Sequence, residues 1–169
     1  MTTSVPPELA AAFGLLRRSQ IPTDLLPEDR WERYKTGRVG KLGLNPALAR
    51  RAETPLGNVW AIPGEGWICL SLAESADRSS LDGGGMACNP TANAVAGRLI
   101  TWTSSRSGAG QMVQGLVPDG VTEVTLITAN GSTTTARVSD NAYGADLSGS
   151  LARVRIGGET VLSLGGPDQ

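Results

Sequence analysis

Apolar residues follow one period up to about residue 55 and another beyond it. In the first stretch they recur at helical spacing; in the second they alternate, or cluster in short runs between turn residues. Pro6-Pro7-Glu8 opens a segment in which Leu9, Ala12, Phe13 and Leu16 stand at i, i+3, i+4 and i+7, one face of a helix. Glu8 at its start and Arg17-Arg18 at its end suit the helix dipole, and Gly14 weakens it by about 1 kcal/mol relative to Ala. A second helix is predicted from Pro27, where a missing N–H is no loss. Trp31 and Tyr34 share its face, and Gly37 stops it. A third, short helix takes Asn45 as N-cap and Pro46 at N1 and covers residues 47–52. Helices this short are marginal alone in water. Phe13, Leu16, Trp31 and Tyr34 are therefore expected to pack on the β-rich remainder of the chain. The alternative makes them contacts of an arm that grips a partner.

From residue 56, runs 58–62 and 67–72 flank Pro63-Gly64-Glu65-Gly66 and read as a hairpin. Residues 73–85 form a polar loop, 86–88 a short strand, 91–96 one helical turn, 99–103 a strand and 104–110 a Ser/Gly loop. Strands over 111–117 and 121–128 are joined by Pro118-Asp119-Gly120. Asn130-Gly131 predicts a type I′ hairpin turn into 132–138. Ser139-Asp140-Asn141 turns again, and Tyr143, Ala145 and Leu147 alternate onward. Runs 153–156 and 160–164 add a hairpin around Gly157-Gly158. The pattern predicts a mainly β fold, an antiparallel sandwich or partly open barrel. A helical N-terminal segment (1–55) packs on an all-β domain (56–166).

Composition narrows the chemistry. A chain of 169 residues with 40% hydrophobic and 18% charged residues can build a core and is not wholly disordered. Glycine, 22 residues without a collagen-like repeat, fits many tight turns. Net charge is -1, split as +3 over residues 1–55 and -4 over the rest, and offers no field for nucleic acid. There is no histidine, which removes Ser-His-Asp and Cys-His catalysis, the HExxH zinc site and imidazole acid–base chemistry. No run of 18 apolar residues is present to span a membrane. No signal peptide is visible at Met1-Thr-Thr-Ser-Val-Pro-Pro-Glu8, so the expectation is a cytoplasmic protein or one whose leader has been removed.

Cys69 and Cys88 fall in successive predicted strands and are read as a disulfide; the alternative is two reduced core thiols. Neither has a neighbour that would activate it as a nucleophile. Gly83-Gly84-Gly85, Gly108-Ala-Gly110 and Gly37-Arg-Val-Gly40-Lys41 lack the ending of a phosphate loop and read as turns. Asp119, Glu123, Asp140 and Asp146 are the carboxylates available for a histidine-free hydrolase, although Asp119 and Asp140 sit in turns. Asp77, Asp82, Asn89 and Asn93 match no calcium loop. Asn130-Gly-Ser132 fits a glycosylation pattern that the turn itself explains. Trp60, Trp67 and Trp102 read first as core volume and second as stacking platforms.

Several segments together resemble a loose family of uncharacterised actinobacterial proteins. They are Phe13-Gly-Leu-Leu-Arg-Arg18, Pro22-Thr-Asp-Leu-Leu-Pro27, Leu48-Ala-Arg-Arg51, Val59-Trp-Ala-Ile-Pro-Gly64 and Trp67-Ile-Cys-Leu70 with Cys88. In the tail they are Gly115-Leu-Val-Pro-Asp-Gly-Val121, Asn130-Gly131 and Val138-Ser-Asp-Asn-Ala-Tyr143. The resemblance implies an exported or envelope-associated protein, many of whose relatives carry a leader that this chain lacks. It implies no reaction and no active site. The expectation is a non-catalytic binding or structural protein of the cell envelope or exterior. Its partner is an unknown macromolecule, in the first place a protein, with no cofactor, metal or nucleic acid. The alternatives are a small carboxylate-dependent hydrolase and a structural subunit of a larger assembly.

Overall fold

The computed structural model describes residues 3–35, 39–72, 85–104 and 109–165. Gly37 as a helix stop, residues 73–84 with Asp77, Asp82, Gly83 and Gly84, and residues 105–108 lie outside the described residues. The short helices are α1 (Pro7–Ala12), α2 (Gly14–Arg17), α3 (Glu28–Tyr34) and α4 (Thr91–Val95). The first strands are β1 (Arg50–Thr54), β2 (Gly57–Pro63), β3 (Trp67–Leu72), β4 (Met86–Pro90), β5 (Leu99–Ser104) and β6 (Gln111–Leu116). After them come β7 (Glu123–Thr128), β8 (Thr133–Arg137), β9 (Ala142–Leu147), β10 (Leu151–Ile156) and β11 (Glu159–Ser163). Among the described residues all pairings are antiparallel, in three sheets ordered β1-β2-β3-β4, β5-β6-β9 and β11-β10-β7-β8, with no closed barrel. The mainly β class expected from the pattern is the class observed.

The last two sheets face each other. Val113, Tyr143, Ala145 and Leu147 of one meet Val124, Leu126, Ala136 and Val154 of the other in a single apolar cluster. Outward positions such as Glu123, Thr133 and Arg137 are exposed, the alternation of a sheet with one wet face. Gly115 and Tyr143 are directly opposite in the β6–β9 register, and a Cβ on Gly115 would lie 2.5 Å from the Tyr143 hydroxyl. A residue without a side chain is needed there for the buried ring to lie across the strand.

The β1–β4 sheet is apolar on both faces. Ala52, Val59, Ala61, Ile68 and Leu70 lie under Leu9 of α1, Phe13 at the junction, and Leu15 and Leu16 of α2. Trp60, Ile62, Cys69 and half-buried Cys88 lie under Leu26, Trp31, Leu42, Leu44 and Ala49. The chain thus crosses one face, rounds the β1 edge and returns over the other. Phe13 and Leu16 are 1% and 3% exposed inside the core, which corrects their reading as contacts for a partner. Trp31 packs half-buried on the second cluster, and Tyr34 is likewise half-buried.

Three local expectations are corrected. The first helix breaks at Phe13, which is extended (φ -125, ψ 108), because the N–H groups of Gly14 and Leu15 turn to acceptors elsewhere in the fold. The third helix is only a 3-10 turn, Pro46–Leu48, although the Asn45 side chain does cap Ala47 N at 3.0 Å. Residues 50–54 are strand instead, since pairing with β2 buries Ala52 and outweighs helical propensity. The Asn130-Gly131 turn is not type I′: Gly131 alone has positive φ (86°), and its N–H bonds Thr128 O at 2.9 Å. The result is a three-residue loop with a glycine bulge. Type I′ geometry occurs at Asp140-Asn141 (φ 47° and 62°), closed by paired 2.9 Å bonds between Ser139 and Ala142.

Candidate functional site

Two polar nodes hold the N-terminal segment in place, and the first of them carries the candidate site. The 3-10 turn Pro22–Asp24 ends on a carboxylate that is fully buried. Its Oδ1 accepts from Arg18 Nη2 at 2.6 Å and Arg51 N at 2.8 Å; its Oδ2 accepts from Arg18 Nη1 at 2.6 Å and Ile21 N at 2.8 Å. Burial works to raise the Asp24 pKa, but Arg18 and the two backbone donors outweigh it and hold the group at about 2. The hydrogen bond to Asp24 raises Arg18 in turn, against a smaller effect of burial. Beside the pair, Arg50 donates to the carbonyls of Arg18, Leu48 and Ala49, and burial lowers its pKa.

A cleft of about 390 Å³ opens over this node, lined by Arg18, Ile21, Asp24, Arg51, Glu53 and Asp140 among others. At its rim Ile21 is 51% exposed, and one turn on Leu25 is 54% exposed. The node holds Ile21 N, and Leu25 N closes the turn on Pro22 O at 3.4 Å, so two large apolar side chains stand in water at the two ends of one turn. Nothing in the sequence marked them. Asp24 is tied to Arg51 across 27 residues, a distance over which helix and strand patterns carry no signal.

The second node joins the α1–α2 junction to the turns around Asp119 and Asn141. Asp119, in the Val-Pro-Asp-Gly-Val turn, accepts from Gly14 N at 2.7 Å and Asn141 Nδ2 at 2.9 Å and pairs with Arg17. Asn141 Oδ1 accepts from Leu15 N at 2.8 Å, while Asp119 N donates to Ala12 O at 2.8 Å. The hydrogen bond from Asn141 leads in lowering the Asp119 pKa. The node caps the N-terminus of α2 with groups from two turns, β6 to β7 and β8 to β9, that each cross from one sheet of the facing pair to the other.

Of the other carboxylates, Asp140 shares the first cleft with Asp24 and Glu53, while Glu123 lines a separate cleft of about 380 Å³ with Gly120 and Gly158. Asp146 is exposed on β9. Among the described residues, the acids with displaced pKa values, Asp24 and Asp119, are shifted downward, which favours a fixed negative charge rather than a proton donor. Among the described residues no group of three Cys, Asp or Glu side chains converges as metal ligands. The Asn89 side chain donates to Arg98 O. Asn130 Oδ1 accepts from Ser132 N inside its own turn.

Cys69 and Cys88 are cross-strand partners of β3 and β4 and form a disulfide, with Cα atoms 4.0 Å apart. Trp60 and Trp67 pack in the same cluster as the disulfide, whereas Trp102 is exposed on β5. A cleft of about 650 Å³ lies at the end of the C-terminal sheet between Thr128, Ser150, Leu151, Arg153 and Leu164. No described helix is long and apolar enough to cross a membrane. Comparison with protein-family models, with curated proteins and with solved structures brings no match.

Proposed function

We propose that this is a non-catalytic binding protein of the cell envelope or exterior, and that it meets a protein partner through the Pro22–Asp24 turn. The observation that carries the reading is the pair Ile21 and Leu25, more than half exposed on either side of a turn whose buried Asp24 carboxylate holds Ile21 N. An apolar pair presented on a closed turn loses little conformational entropy on docking, and the adjoining cleft supplies charges of both signs for a polar rim. The Cys69–Cys88 disulfide supports an oxidising compartment.

Two measurements test it. A photo-crosslinking residue placed at position 21 or 25 in the native host is expected to give one discrete adduct, absent from positions 133 and 135 on the exposed β8 face. The same adducts at all four positions, or none, would sink the partner surface. Alkylation of freshly lysed cells is expected to find both cysteines protected, and two free thiols would remove the export half of the proposal.

The cleft that gathers Asp24, Glu53 and Asp140 favours a second reading, a small carboxylate-dependent hydrolase. It requires one acid held protonated near neutrality. A titration of Glu53 and Asp140 by carboxyl NMR that finds both ionised at pH 5 would end it.

A further inference from the structure

Beneath α3 lies a set of polar groups that neither node uses. Arg30, on the inward side of the helix, is 7% exposed; its guanidinium stacks over the Trp60 ring at 4.9 Å, and Nη1 donates to Leu72 O. Among the described residues no carboxylate pairs with it. Trp60 and Ser71 are direct cross-strand partners of β2 and β3, so their side chains rise together on the face that α3 covers. They are 7% and 0% exposed. Arg30 Nε, Trp60 Nε1 and Ser71 Oγ are all buried, and among the described residues no protein group is bonded to any of them.

Two of these groups can only donate a hydrogen bond, and the third can donate. A buried cation beside unused donors, and offset by a ring face and one carbonyl, lacks both an acceptor and a negative charge among the described residues. A water molecule answers half of that need. It accepts two bonds, but it brings no negative charge to offset the guanidinium. An anion answers both halves, and burial restricts it to something of atomic size.

We propose that Arg30, Trp60 and Ser71 bind a single monovalent anion of the halide class between α3 and the β2–β3 pair. The site shares no residue with the cleft over Asp24 and does not depend on the partner surface at Ile21 and Leu25.

Bromide is the probe. In the intact, oxidised protein, thermal unfolding is measured in bromide against gluconate at equal ionic strength. Tm is expected to rise by about 3–5 °C for each tenfold increase in bromide beyond half-saturation. The double variant Trp60→Phe/Ser71→Ala keeps the aromatic face for Arg30 but removes two donors, and its slope is expected to collapse. Anomalous diffraction from bromide-soaked crystals should place the ion within hydrogen-bonding reach of Arg30 Nε. An equal slope in the double variant overturns the proposal, as does the absence of anomalous density at that position. A peak without a Tm slope is an adventitious ion and overturns it too. Should the variant fail to fold, the anomalous map of the unaltered protein decides alone.

Discussion

Between sheets β5-β6-β9 and β11-β10-β7-β8 the core is made by strands that face one another. The β1–β4 sheet instead takes much of its cover from the first 49 residues. In the sandwich, apolar alternation and turn chemistry are enough to bring the partners together. In the wrapped sheet, the covering segment has only short helices, and side-chain nodes and a disulfide do the joining. Stability in the first region is spread over many ordinary contacts, while in the second it is concentrated in a few replaceable groups. Substitutions of single polar residues should therefore separate the two.

The largest effect is expected from Asp24→Ala, which strands the Arg18 guanidinium and the N–H groups of Ile21 and Arg51. A loss of about 3 kcal/mol in urea denaturation is expected, with faster amide exchange in β1 while β6 and β9 keep their protection. The same carboxyl sets a pH signature. Its folded pKa of about 2 lies below the ordinary 3.8, so its contribution is complete above pH 3.8 and disappears as the pH falls through 2. That contribution is about 2 kcal/mol, and the step should be missing from the acid titration of Asp24→Asn.

Opening the disulfide comes next. Paired Cys69→Ser and Cys88→Ser substitutions release a closure of 19 residues and should cost about 3 kcal/mol or slightly less in guanidinium unfolding, again read in β2 and β3 rather than β7 and β10. Asp119→Ala removes the cap on α2 and the Arg17 pair, and about 1 kcal/mol is expected by thermal denaturation. Within the sandwich, Tyr143→Phe deletes a buried hydroxyl that has no bonded partner among the described residues. A change within about 0.5 kcal/mol, of either sign, is expected there. A loss above about 2 kcal/mol would mean the sandwich also relies on single polar groups and would blur the contrast.

The sandwich was the legible region because its information is local. Val124 and Leu126 alternate with Glu123 and Thr125, and the turns at Pro118-Asp119-Gly120 and Gly157-Gly158 stand where strands end. Even there, the choice between Asn130-Gly131 and Asp140-Asn141 as the type I′ turn went against the stronger dipeptide preference. The Thr128–Ser132 closure admits three residues, and the Ser139–Ala142 closure admits two. The wrapped sheet was less legible. Arg50-Arg51-Ala52 looks helical after Pro46, and only the facing β2 strand makes it extended. Of the candidate site, the cysteine pair could be anticipated from two neighbouring strands. Ile21 and Leu25 could not, because their exposure follows from a carboxylate whose partners come from separate parts of the chain.

The α2 cap has a consequence for synthesis. Gly14 and Leu15 leave the ribosome well ahead of the side chains that secure them, which follow 105 and 126 positions later. A nascent polypeptide stalled before Asp119 leaves Gly14 and Leu15 without either side-chain acceptor, and one stalled between Asp119 and Asn141 still leaves Leu15 N without its own. Translation must pass Asn141 before the α2 cap is complete, which lengthens the interval in which a chaperone could engage the earlier-made portion.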